Sequence, residues 1–147
     1  MDLTRNYPRS VRDTMGGVVM LARTVDKAKA AASGKIGEYH YNCPMDQAVF
    51  AFLDIDHEEF LATVKSAHDD GEIEIFIKLR AAQKTPAQIE RFNTDFVQRA
   101  PAPGSDGATS FTQLLTSVAP ERTDITTWAD LLDLDERREV PRRTTVV

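Results

Sequence analysis

This chain has almost no cysteine and no long apolar run. One cysteine in 147 residues excludes an internal disulfide and any zinc site built from several thiolates. The longest apolar stretch near the N-terminus, GGVVMLA, is far too short to span a bilayer. MDLTRNYPRS, which precedes it, has no apolar signal core. No membrane partner and no lipid attachment are expected, and the chain is expected in a cytoplasm. A basic excess is missing too. The formal charge of -5 argues against a dominant nucleic-acid surface, so no nucleic-acid partner is expected. There is no Gly-rich phosphate loop, no G-x-S-x-G and no H-E-x-x-H, which excludes the families that carry loud local motifs. No cofactor is read from the sequence.

What is present is ordinary for a globular protein: 41% hydrophobic and 28% charged residues. A chain of this length buries roughly 70% of its unfolded surface, enough for a core without staples. The apolar spacing predicts about seven helices. The first is expected from a cap at Ser10 to about Ser33, with a stripe of Met15, Val18, Val19, Ala22 and Val25, although it could equally begin only after Gly16 and Gly17. Residues 37–42 read as a short extended segment. Cys43 then caps a helix with Pro44 at its first position. Asp56 with Glu59 opens another. DDG at 69–71 reads as a turn. EIEIFIKL at 72–79 fits both strand and helix periods; it is read as helix, apolar on most sides and central in the core. Thr85-Pro86 with Gln88 starts a further helix. Phe111, Leu114, Leu115 and Val118 line the next, and Asp124 is expected to cap the last, which holds Trp128, Leu131 and Leu132. The fold class is all-α: a compact helical bundle in one domain over 1–138, with a flexible C-terminal tail at 139–147.

EYHYNCPMD, residues 38–46, is the chemically densest stretch. A cysteine at a helix N-terminus has its thiolate favoured, so Cys43 is a candidate nucleophile. The alternative is a buried, inert thiol beside a proline. His40 is its candidate base. Strand alternation points the two to opposite faces, and they meet only if the chain turns at Asn42. Tyr39, Tyr41 and Asn42 are candidate ligand contacts, or core aromatics and a turn residue. Asp46 either joins the pocket or accepts the Cys43 N–H as a cap partner. H-x-x-C-x-x-D over His40, Cys43 and Asp46 lacks the paired spacing of zinc sites, so no metal site is assigned.

The first helix carries charge on its apolar stripe. Asp26 and Lys29 share the face of Met15, Val19 and Ala22, which is unfavourable unless they pair or face a polar pocket. Arg23 and Lys27 flank that stripe and read as a solvated basic edge, Arg23 being also a candidate ligand contact. Because the chain returns through residues 38–42, Asp26 and Lys29 are expected to meet Tyr39, His40 or Asn42 in one polar cluster. Trp128 is a core plug or a cover for that cluster.

RTVDKAKA at 23–30, GEYHYNCPMDQ at 37–47 and TWADLLDLD at 127–135, with the opening DLT and YPRS, resemble a bacterial family catalogued as domain of unknown function 5069. The resemblance covers nearly the whole chain. It implies a small, stand-alone protein and brings no catalytic or ligand role to any position. The Glu-Arg-Arg-Glu at 136–139 and the basic tail depart from the family's ending.

Two readings of function follow. The first is a binding or interaction module with a polar pocket between the first helix and EYHYNCPMD, taking a small polar or anionic metabolite, with a homodimer as a second form of association. The alternative is a small enzyme using Cys43 or His40 on a polar substrate.

Overall fold

The computed structural model describes residues 1–143 and divides the chain into two compact units, Met1–Asn93 and Thr94–Val147. Seven helices and one two-stranded ribbon make up the regular structure of the described residues. In the first unit β1 (Thr14–Met15) and β2 (Val18–Val19) pair antiparallel, with Met15 opposite Val18. They are followed by α1 (Leu21–Ala32), α2 (Pro44–Leu53), α3 (His57–Ser66) and α4 (Asp70–Ala81). α5 (Pro86–Val97) crosses the division between the units. The second unit holds α6 (Asp106–Val118) and α7 (Trp128–Asp135).

Of the two starts open for the first helix, the later one holds: α1 begins after Gly16 and Gly17, and the residues between Ser10 and α1 include a tight hairpin instead of a helical turn. Gly16 and Gly17 both take positive φ, 62° and 82°, as a two-residue ribbon turn requires. At Gly16 a Cβ would lie 2.7 Å from Ile77 Cγ2, so the turn also needs the missing side chain. Asn93 holds the ribbon from outside: its side-chain oxygen accepts the Val19 N–H at 3.1 Å, and its amide donates to the Gly17 carbonyl at 2.9 Å.

α1 is the central element of the first unit. Nine of its twelve residues are buried, and it packs against α2, α3 and the ribbon. The expectation that residues 72–79 form the central helix is corrected on one point. They are helical, but α4 buries only one stripe, Ile73, Ile77 and Ala81, while Ile75 and Leu79 are 61% and 66% exposed. Phe60, fully buried, packs on Phe50 at 5.0 Å between ring centroids.

Three helix starts follow from local sequence. Pro44 opens α2 behind Cys43. Asp56 accepts the Glu58 and Glu59 N–H groups ahead of α3. Thr85 and Gln88 exchange side-chain bonds at the start of α5. DDG at 69–71 serves as a helix start instead of a free turn, since Asp69 caps α4 through the Glu72 N–H. The last helix is capped by Thr127, not Asp124. A threonine hydroxyl three residues before Asp130 meets the same need, and Asp124 is engaged elsewhere.

The second unit has its own core of Phe111, Ile125, Leu131 and Val140, with Leu114, Leu115, Trp128 and Leu134 packed against it. Trp128 meets Phe111 edge to face at 5.0 Å. Part of the segment expected as a flexible tail takes part in this unit. The Arg122 guanidinium donates to the Val140 and Pro141 carbonyls at 3.1 and 3.2 Å, and Arg143 pairs with Asp130 at 2.8 Å. The rest of that expected tail, 144–147, lies outside the described residues.

Asp124 ties these strands of chain together. It accepts from Arg122 at 2.8 and 2.9 Å and from the Arg143 N–H at 2.7 Å. The Arg122 bonds first, then the Arg143 N–H, hold its carboxyl well below its ordinary value of 3.8. A carboxyl lowered on folding stabilises the fold above its unfolded pKa, and this is lost as pH falls through the folded value. The stability of wild type should therefore fall on acidification below about pH 4 more steeply than that of Asp124→Asn, measured by urea denaturation across that range. Equal slopes would show that Asp124 is not so held.

Candidate functional site

Between Gly37 and α2 the chain has neither helix nor strand. It enters at Gly37, φ 62°, and leaves at Asn42, φ 62°. Both are left-handed positions, natural for glycine and tolerated by asparagine. Gly37 lies under the N-terminal segment, where an added Cβ would come 3.1 Å from the Leu3 carbonyl.

Lys27 of α1 holds this segment in place. Its ammonium donates to Asp46 Oδ2 at 2.7 Å, to the His40 carbonyl at 3.0 Å and to Cys43 Sγ at 3.3 Å. Thr24, one turn earlier, donates to Asp46 Oδ1 at 2.6 Å. Asp46 also accepts the Cys43 N–H at 3.2 Å, the cap role expected for it. Lys27 is 3% exposed, and Thr24 and Asp46 are fully buried. An ammonium has three N–H groups, and here three acceptors face it.

The expected meeting of α1 with residues 39–46 thus takes place, but through other residues. Asp26 and Lys29 pair with Arg9 and Asp70 instead of with each other or with Tyr39, His40 or Asn42. Asp26 accepts from Arg9, from its backbone N–H at 2.8 Å and from its guanidinium at 3.0 and 3.1 Å. Arg9 also reaches Asp70 at 3.1 Å, and Asp70 pairs with Lys29 at 2.5 Å. The result is a chain of four charges, Asp26–Arg9–Asp70–Lys29, that joins the N-terminal segment, α1 and the start of α4. Burial raises the Asp70 carboxyl, but bonds from Lys29, then its charge and that of Arg9, outweigh this and leave it below its ordinary value. Lys27 and Arg23, expected as a solvated edge, are buried instead. The wheel marked them as flanking because it was drawn against a single apolar stripe, whereas α1 is enclosed on most sides.

The remaining candidates are placed as follows. Arg23 donates to the Arg9 carbonyl at 3.2 Å, and its guanidinium lies 5.6 Å from the centre of the Tyr39 ring. His40 serves the cluster with its carbonyl, and its residue is exposed. Tyr41 donates to the His57 carbonyl at 2.6 Å. Burial, and after it the charges of Asp46 and Asp56, push its phenol above its ordinary value, so it remains a neutral donor. Asn42 accepts the Gln47 amide at 2.9 Å. Cys43 is half-buried. Trp128 belongs to the second unit. Reasoning from sequence missed Thr24 and Arg9. Thr24 lies one helical turn before Lys27, a signal that could have found it; Arg9 gave none.

Along α6 an open depression of about 660 Å³ is lined by Ser105, Ala108, Thr109, Thr112 and Thr116, among others. The hydroxyls of Thr112 and Thr116 bond to carbonyls of their own helix, so this face offers methyl groups more than donors. Among the described residues, no three His, Cys, Asp or Glu side chains are grouped to hold a metal, and no helix is long and apolar enough to cross a membrane.

The model of the family described as a domain of unknown function, DUF5069, matches residues 5–138. The chain belongs to this family. No curated protein matches it. The match takes in Lys27, Asp46 and the whole 37–47 segment, and it ends at Arg138. No buried side-chain nitrogen or oxygen among the described residues lacks a partner, so the cluster is closed on itself.

Removing one member of that cluster leaves the others buried and unpaired. Lys27→Ala should cost about 3–5 kcal/mol of unfolding free energy, and Lys27→Met combined with Asp46→Leu should recover most of it. Urea denaturation of the three proteins gives the comparison. A Lys27→Ala loss within about 1 kcal/mol would mean that the pair is solvated.

Proposed function

We propose that this protein is a non-catalytic binding module whose recognition surface is the outer side of residues 38–42, and that its ligand is a small polar or anionic metabolite. One observation carries this reading. The buried Lys27 bonds at once to the His40 backbone and to the cap of α2, and so fixes an irregular surface segment. A buried charge is a costly way to hold a loop, and one whose shape is irrelevant needs no such anchor. Preorganised loops bind at lower entropic cost. What the segment offers outward is the exposed His40 and the half-buried Tyr39 and Asn42, an aromatic and polar set suited to stacking and hydrogen bonding.

A thermal-shift screen of polar and anionic metabolites should find a ligand that stabilises wild type by about 2–3 kcal/mol at a hundredfold excess over its dissociation constant. The shift should vanish in His40→Ala with Tyr39→Ala, which removes side chains but leaves the His40 carbonyl in place. Equal shifts in wild type and variant would move the ligand elsewhere, and conversion of a bound ligand to product would end the non-catalytic reading.

The second reading is catalytic, and the observation in its favour is the ammonium of Lys27 3.3 Å from a half-buried thiol at a helix N-terminus. In that reading Cys43 is a nucleophile whose anion Lys27 stabilises. Folded wild type should then be alkylated rapidly by iodoacetamide near neutral pH, and a folded Lys27→Met variant slowly. Slow alkylation of both would remove this reading.

A further inference from the structure

We infer that the outer face of α4 is a self-association surface on which two copies of this chain pair with their α4 helices antiparallel. This inference is independent of the reading above, since α4 contributes no residue to the 38–46 segment. α4 turns Ile73 and Ile77 into its own unit and leaves Ile75 and Leu79 more than 60% exposed. Ala82, just past the helix, is also exposed. These three stand at i, i+4 and i+7 and form one apolar stripe down the helix. Isolated exposed apolar residues are common on protein surfaces; a stripe at helical spacing is the pattern of a helix seam.

Charge selects the occupant. The start of α4 is acidic, with Asp70 and Glu72 in its first turn, and its end is basic, with Lys78 and Arg80 in its last. A parallel pair would set like charges and like dipole ends together, whereas an antiparallel pair of identical helices sets each end against its opposite. With the two-fold axis midway between Ile75 and Leu79, Ile75 packs on Leu79 of the second copy, and the reverse. On one flank Lys78 then comes within reach of Glu74 of the second copy. Those two residues already pair within each helix at 3.0 Å and remain 63% and 42% exposed at their side chains. Two such pairs interleave into a ring of four alternating charges. On the other flank Glu72 meets Gln83 of the second copy, a carboxylate facing an amide donor. The flanks are thus matched to themselves in charge and hydrogen bonding, as a two-fold interface requires.

α4 is about 18 Å long, so a contact through this helix alone falls at the small end of specific interfaces, and the dimer is expected to be concentration-dependent instead of obligate. Sedimentation velocity of the full chain, over about three decades of concentration upward from about 1 µM, should show a monomer passing to a dimer. Leu79→Glu should weaken the dimer by at least about tenfold, and so should Glu74→Lys, while Glu74→Lys combined with Lys78→Glu should restore it. The altered side chains are exposed, and circular dichroism of each variant verifies the fold. A monomer at every concentration overturns the inference, as does a dimer indifferent to Leu79→Glu. A dimer that Leu79→Glu weakens but the charge exchange fails to restore overturns the antiparallel arrangement, and the inference with it.

Discussion

The first unit depends on one ammonium group. Lys27 Nζ sits in a buried position with a carboxylate, a carbonyl and a thiol as its three acceptors. Taking Lys27 and Asp46 out of water costs several kcal/mol per ion, and their mutual attraction repays this only when the geometry is good and the other lone pairs are satisfied. Both conditions are met. Asp46 receives Lys27 and Cys43 N–H on one oxygen and Thr24 on the other. Such a pair contributes less to net stability than its short distances suggest. What it does contribute is register: slide α2 by one residue, and a carboxylate is stranded in an apolar interior. The interaction therefore selects a single arrangement of α1, the 38–43 segment and the start of α2.

A second set of charges works from another side of the same helix. Asp26, Arg9, Asp70 and Lys29 alternate in sign and draw on three separate parts of the chain. Here the side chains of Arg9, Lys29 and Asp70 are more than a third exposed, so solvent screens the outer links and each is worth at most about 1 kcal/mol. Asp26 is the buried end, and its value lies in satisfying two backbone-distant groups at once: the N–H and the guanidinium of Arg9. α1 thus carries charge to two different neighbours while its apolar residues fill the core. That explains how a helix with Arg23, Asp26 and Lys27 can have nine of twelve residues buried.

This enclosure also marks the limit of what the sequence made legible. Local rules worked where the physics is local. Cys43-Pro44, Asp56 with Glu59 and Thr85-Pro86 each mark a helix start because a cap needs only an acceptor three residues from a free N–H. The clustering of α1 with the EYHYNCPMD segment was legible too, because a short return after Gly34 leaves the chain few other paths. Which charge reaches across was not. A helical wheel divides residues into an inner and an outer face, and it loses much of that meaning for a helix buried at nine of its twelve residues. Asp26 and Lys29 lay on the apolar stripe and drew attention, yet their partners, Arg9 and Asp70, are 17 and 41 residues away along the chain from Asp26 and Lys29 respectively. The ribbon at 14–19 was missed for a related reason: Val18, Val19 and Ala22 satisfy helical spacing, and only the pair of left-handed glycines marks the turn.

Closure of the cluster bears on how chemistry and recognition divide between its members. A general base must exchange a proton within the reaction, and a carboxylate already accepting from an ammonium, a hydroxyl and an N–H has to give up bonds to do so. Asp46 is in that state, and Tyr41, its phenol raised by burial and committed to the His57 carbonyl, stays neutral at ordinary pH. Within the segment this leaves the thiol of Cys43 and the imidazole of His40 as the groups with chemistry to spare, and the cluster engages the second of these only through its backbone. In the binding reading proposed above, the polar residues of α1 act on the ligand at one remove, by setting the path of the chain that carries Tyr39, His40 and Asn42. Selection on such a site would act on the anchor as strongly as on the side chains that touch the ligand. That is the physical sense in which a buried lysine and aspartate can belong to a binding surface they never contact.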